Sequence, residues 1–227
     1  MSSHVLAVLG AGPETPIIEV ATALADLMQA EPFLFRQDAG EPSAHRVDVV
    51  LDALAESSAV AAVLAAEQDE TALCWQVVRR AGKPVALVPP GARRPPGPIS
   101  RVLVPLDGTT ESAAAVADLV ELLAGVGVDI VVLHVFDAAT VPMFWDQAAH
   151  TGQAWSTQFL ERHAPAGARL ELRTGTAGEH VVSVADAEQA DLIALAWSRH
   201  LGPGRALTVR HCVLEAGRPV LLVPVDG

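Results

Sequence analysis

Asp107, Gly108 and Thr109 follow the apolar run Arg101 to Leu106 and form the first group of residues in this sequence able to do chemistry. A carboxylate beside a glycine turn and a hydroxyl can receive a polar ligand, because open parallel sheets bind ligands outside the carboxyl ends of their strands. A second group comprises Arg199, His200, Gly202, Gly204, Arg205 and Thr208. Glycines let backbone donors approach an anion, and guanidinium groups neutralise it. Gly202-Pro203-Gly204 is also an ordinary turn into a helix, so a vestigial pocket stands beside the anion-site reading.

Asp107, His134 and Ser198 together suggest nucleophilic hydrolysis, but no Gly-x-Ser-x-Gly elbow surrounds any serine. No catalytic residue is assigned, and the expectation is a protein that is not an enzyme. The eight histidines include no His-Glu-x-x-His pattern. His180 and His211 read as surface or helix-end residues, and no metal site is expected. Cys74 and Cys212, the only cysteines, lie in helix-like stretches and read as buried free thiols. Val141-Pro142-Met143-Phe144-Trp145 places three large apolar side chains in an expected loop. That loop packs back on its own domain, covers the Asp107 pocket as a lid, or meets a partner. Trp197 is expected beside it, filling space near Asp107.

The elements that would carry these residues repeat. Ala81-Gly82-Lys83-Pro84-Val85-Ala86-Leu87-Val88-Pro89 recurs as Ala216-Gly217-Arg218-Pro219-Val220-Leu221-Leu222-Val223-Pro224. Each reads as a helix end, then a short apolar strand. The opening strands, at Val5 and Val102, lie 97 residues apart, whereas the closing strands lie 135 apart. The first copy is therefore shorter by about one strand-helix unit between its first strand and Val60 to Ala65. Pro89 to Pro98 contains five prolines and reads as a stiff linker. The predicted division is a shortened domain over residues 1–91, a linker over 92–98 and a complete domain over 99–227. In the second copy, strands are expected at 101–106, 129–136, 169–174, 192–196 and 219–223, alternating with helices at 111–124, 153–163, 179–189 and 206–215. This alternation predicts an α/β fold: two Rossmann-like, mostly parallel sheets covered by helices.

The chain has 227 residues, 51% of them hydrophobic, and a net charge of −12. Acidity of that size disfavours nucleic acid. No apolar run reaches the roughly 20 residues of a membrane helix. With no signal-type start, a cytoplasmic protein is expected.

Four motifs carry a resemblance to the universal stress protein family: Val102 to Thr109, Val131-Val132-Leu133-His134-Val135, Ala190-Asp191-Leu192-Ile193-Ala194, and Arg218 to Pro224. The resemblance is clear over residues 99–227 and reaches residues 1–91 mainly through the repeat. It implies a strand order of 3-2-1-4-5 in the second copy and dimerisation through the closing strands. It also implies that Asp107 contacts the nucleoside of a bound nucleotide. Gly108, Thr109 and Val135 are the further candidates beside it, and Arg199, Gly202, Gly204, Arg205 and Thr208 are the candidates of a different anion-binding turn where the family's glycine loop would stand. The family's Gly-x-x-Gly is replaced by Trp197-Ser198-Arg199-His200, and its Gly-Ser by Leu207-Thr208. The expectation is therefore a regulatory or stress-response protein acting through protein contacts, with no required cofactor and a degenerate pocket. An adenine-nucleotide-binding module is the alternative, and a homodimer and an unidentified protein partner are the expected associations. In the first copy Gly10 replaces the acidic residue; Gly10-Ala11-Gly12 can hold an anion but makes a poorer candidate.

Overall fold

The structure is a computed structural model that describes residues 2–10, 12–37, 40, 42–92, 97–136, 149–163, 167–200 and 205–225, with the backbone alone at 149–153 and 205. The chain runs β1 (His4–Leu9), α1 (Glu14–Leu27), β2 (Glu31–Arg36), α2 (Ser43–Ala55), β3 (Ala59–Ala65), α3 (Leu73–Arg80) and β4 (Val85–Val88). It continues with β5 (Arg101–Pro105), α4 (Thr110–Gly125), β6 (Asp129–Phe136), α5 (Ala149–His163), β7 (Arg169–Thr174), α6 (Ala177–Ala187), β8 (Leu192–Trp197), α7 (Arg205–Glu215) and β9 (Val220–Pro224).

All nine strands form one sheet in the order β2-β1-β3-β4-β9-β8-β5-β6-β7. Every pairing is parallel except that of β4 with β9, which is antiparallel with Val85 opposite Leu222 and Leu87 opposite Val220. From β7 to β9 the order is that of a 3-2-1-4-5 sheet, as the resemblance implies. From β2 to β4 the same pattern appears without its third strand. The expected two sheets are thus joined edge to edge, and the closing strands become its interior. Joining satisfies backbone groups that each half would otherwise leave at an open edge.

Helix placement identifies the missing unit. α2, α3, α6 and α7 pack on one sheet face, where Leu6, Leu64, Leu87, Leu133 and Leu222 point. α1, α4 and α5 cover the other, with Ala7, Val63, Val104 and Leu221. Right-handed crossovers put helices on opposite faces when the chain moves in opposite directions across the sheet. α2, which returns from β2 to β3, therefore corresponds to α6, and the first half lacks counterparts of α5 and β7. The absence leaves β2 as an edge with Phe33 and Leu34 about half exposed (51% and 47%). Glu31, Pro32 and Arg36 on the same strand blunt it against casual pairing.

The repeated Gly-Lys/Arg-Pro motif has a visible role. Lys83 Nζ donates to the carbonyls of Glu56 (2.6 Å) and Ala59 (2.7 Å), at the start of β3. Arg218, only 5% exposed, donates to the Ala190 carbonyl (2.8 Å) just before β8 and to Asp186 (2.6 Å). In both halves one cation ties the penultimate strand to the last. Arg218→Met is expected to cost about 1–3 kcal/mol by stranding a buried acceptor, read as a lowered urea midpoint. The more exposed Lys83→Met should cost less.

Cys74 and Cys212 are free and buried, and burial pushes their thiols up to about 11 and about 12. Both behave as apolar packing groups at neutral pH. No helix among the described residues is long and apolar enough to cross a membrane.

Candidate functional site

β5 ends at Pro105, and the chain turns through Leu106, Asp107 and Gly108 into α4. Gly108 has φ +82, and a Cβ there would lie 3.3 Å from the His134 ring, so both conformation and space require glycine. Thr109 is the N-cap of α4, its side chain accepting from the Ser112 backbone N–H. Asp107 Oδ1 accepts from the Thr109 N–H (3.0 Å), the Thr109 hydroxyl (2.7 Å) and the Ser112 hydroxyl (2.5 Å). The carboxylate thus organises the turn at a helix N-terminus, where its charge is favoured. Ser112 was not legible as part of this group, although its place three residues after the cap was the available signal.

Beside Asp107 lies a cavity of roughly 200 Å³ at the carboxyl ends of β5, β6 and β8, where the strand order reverses. Leu106, Leu133, Val135, Val181, Leu195 and Val209 make it largely apolar, and Ser112 and Thr208 add hydroxyls. Asp107, Val135 and Thr208 thus line one cavity. No Arg, Lys or His lines this cavity among the described residues.

Arg199 takes a different direction. With φ +65 it turns away from the Asp107 cavity and lines a groove between the two halves with Arg79, Arg80, His200 and Val225. Its Nη2 lies 3.4 Å from the Val225 carbonyl. Gly202, Gly204 and the Arg205 side chain fall outside the described residues, as does the Met143-Phe144-Trp145 loop.

The expected place of Trp197 also needs correction. Its indole is 2% exposed, does not line the Asp107 cavity, and donates to the Val78 carbonyl of α3 at 2.8 Å. Trp197 shares the sheet face of Ile193 and Leu195, but it stands at the end of β8, where its indole reaches α3 of the first half.

On the opposite face His134 is 8% exposed and packs edge-on to Phe136, with Trp155 and Phe159 also in contact. Its Nδ1 donates to the Leu106 carbonyl at 2.8 Å. Burial is the largest influence and holds the imidazole below its usual value, against the opposing effects of Leu106 and Asp107. The neutral ring is a structural strut. Ser198 lies in the groove between the halves, so the Asp107, His134 and Ser198 set is not assembled.

A depressed folded pKa makes stability fall as acid protonates the unfolded chain first. The His134 contribution is complete above the unfolded value, 6.5. It is lost as pH falls from there through the lower folded value. Urea midpoints should thus drop less between pH 7 and pH 5 for His134→Phe than for the native chain.

A mostly parallel, helix-covered sheet unit, built twice and joined through its last strands, defines a tandem α/β protein of the Rossmann-like class. Residues 98–224 match the model of the universal stress protein family, and the chain belongs to that family. A putative universal stress protein from Pseudomonas aeruginosa is similar over 99% of this chain and 94% of its own, at 14% identity and TM-score 0.66. A universal stress protein from Archaeoglobus fulgidus is similar over 99% and 97%, at 12% identity and TM-score 0.61. A universal stress protein solved in complex with cAMP covers 56% of this chain and 98% of its own, at 21% identity and TM-score 0.43. Comparison with curated proteins gives no match.

Proposed function

We propose that this chain is a non-catalytic, cytoplasmic regulatory protein of the stress-response type that acts through protein contacts, with a C-terminal pocket degenerate for nucleotide. The observation that carries this reading is the direction of Arg199, away from the cavity that Asp107 shares with Leu133 and Leu195. A second cavity, of roughly 300 Å³ on the other sheet face, sets Arg162 and His163 beside Asp107 and Gly108. Asp107 stands at both, but Arg199, a candidate of the anion-binding turn, faces the seam. A triphosphate needs cations or directed backbone donors beside it. A volume of roughly 200 Å³ is also below the usual range for small-molecule sites, about 300–1,000 Å³. The uncovered β2 edge, with Phe33 and Leu34, supports action through protein contacts. Dimerisation through the closing strands has no free edge, since β4 lies between β3 and β9 and β9 between β4 and β8. A homodimer would use another surface, such as this edge.

Calorimetry with ATP should show no binding tighter than roughly 100 μM, about −5.5 kcal/mol. Low-micromolar binding that Asp107→Asn abolishes would instead establish the alternative, an adenine-nucleotide module. Asn retains an acceptor for Thr109 and Ser112, so it separates ligand contact from the turn better than Ala.

A further inference from the structure

The shortened first half contains a cavity larger than the one beside Asp107. It measures roughly 460 Å³ and lies at the carboxyl ends of β1, β3 and β4, enclosed by the starts of α1, α2 and α3. Its body is apolar, with Val8, Ile17, Leu64, Leu73 and Val88 among the walls. Cys74 is neutral there and adds to the apolar surface.

The polar groups gather on one side. Gln37 follows β2, and Arg46 lies one turn into α2. Gln37 Nε2 donates to the Arg46 carbonyl at 2.9 Å, which fixes the two residues relative to each other. Gln37 Oε1 and Arg46 Nε are shielded from solvent, and neither has a hydrogen-bond partner among the described residues. The Arg46 Nε–H is costly to leave unpaired and calls for a ligand acceptor, whereas Gln37 Oε1, itself an acceptor, calls for a donor. Gly10 also lines the cavity; it has an ordinary φ and open space around a would-be Cβ. Folding does not demand glycine there, whereas close approach by a ligand would.

We propose that this cavity binds a small monocarboxylate with a compact apolar body, its carboxylate on Arg46 and its body against Ile17, Leu64 and Val88. A guanidinium matches a carboxylate with paired donors. The N-termini of α1, α2 and α3 have no side-chain cap, so their partial positive charge adds to that of Arg46. Glu67 on the lining disfavours a dianion such as phosphate. This site is independent of the Asp107 cavity and of the nucleotide reading.

The test is calorimetry and NMR on the full chain, with octanoate as probe, octan-1-ol as neutral counterpart and inorganic phosphate as bare anion. Octanoate should bind and shift amides near Gly10, Gln37 and Ala66 rather than those near Asp107. Arg46→Gln should weaken it by at least about tenfold, Arg46→Lys by less, and Gly10→Val should block it while leaving the urea midpoint of the protein in place. No octanoate binding, equal binding by octan-1-ol, equal binding by phosphate, or unchanged affinity in a folded Arg46→Gln variant would each overturn the proposal.

Discussion

Trp197→Ala is expected to lower the free energy of unfolding by about 3–5 kcal/mol, the usual cost of removing a large buried aromatic. The side chain is 2% exposed and among the larger fully buried groups in the chain. Truncation empties the space between β8 and α3 and also removes the 2.8 Å hydrogen bond to the Val78 carbonyl. Urea denaturation followed by circular dichroism reads the loss. ATP titration on the same variant gives a second result. Because the indole stands at the seam and not in the Asp107 cavity, affinity for ATP should not increase. A variant within about 1 kcal/mol of the native chain that bound ATP tenfold more tightly would return Trp197 to the ligand cleft.

The difference between the two readings of Trp197 shows what periodicity carries. The strand itself was legible, since apolar runs bounded by turn residues at regular spacing leave few alternatives in a βα chain. Its neighbours were not. Trp197 shares the sheet face of Leu195, which lines the Asp107 cavity, and its partner Val78 comes from a distant part of the chain that local periodicity does not reveal. β8 extends to Trp197 rather than stopping at Ala196. Arg199 was misplaced for a related reason: its φ of +65 reverses the chain direction, and nothing in Trp-Ser-Arg-His signals a left-handed arginine.

The missing unit was legible from offsets alone, because a deletion in one copy of a repeat changes the spacing of everything after it. Its identity was not. Only the faces covered by α2 and α5 reveal that α2 is the returning helix, so the lost elements are those equivalent to α5 and β7. The cavity of the first half was not legible because its residues do not resemble the second half's. Gly10 stands for Asp107, and Gln37 and Arg46 come from a stretch that has no motif. Cavities depend on where helices begin relative to strand ends, which composition does not encode.

The second large effect concerns the seam. Leu222→Asp is expected to cost at least about 4 kcal/mol, because an unpaired carboxylate in an apolar interior loses its hydration without compensation. Leu222 is 1% exposed and stands between Leu195 on β8 and Val85 on β4. A loss of that size is a substantial part of the 5–15 kcal/mol that stabilises an ordinary domain. More telling is how far the damage spreads. β4 contributes Val85, Ala86 and Leu87 to the pairing, and all three are buried by it and by the helices on either face. Removing β9 would expose the interior of the first half as an apolar edge. Hydrogen exchange should therefore accelerate in β1 and β3 as well as in β8 and β9, and urea should produce one shifted transition. Native protection in β1 and β3 beside unfolding confined to residues 99–227 would show instead that the halves are stable alone and merely abut. The single sheet argues for the first outcome, because the two strands that close it have no solvent-facing side left to expose without cost.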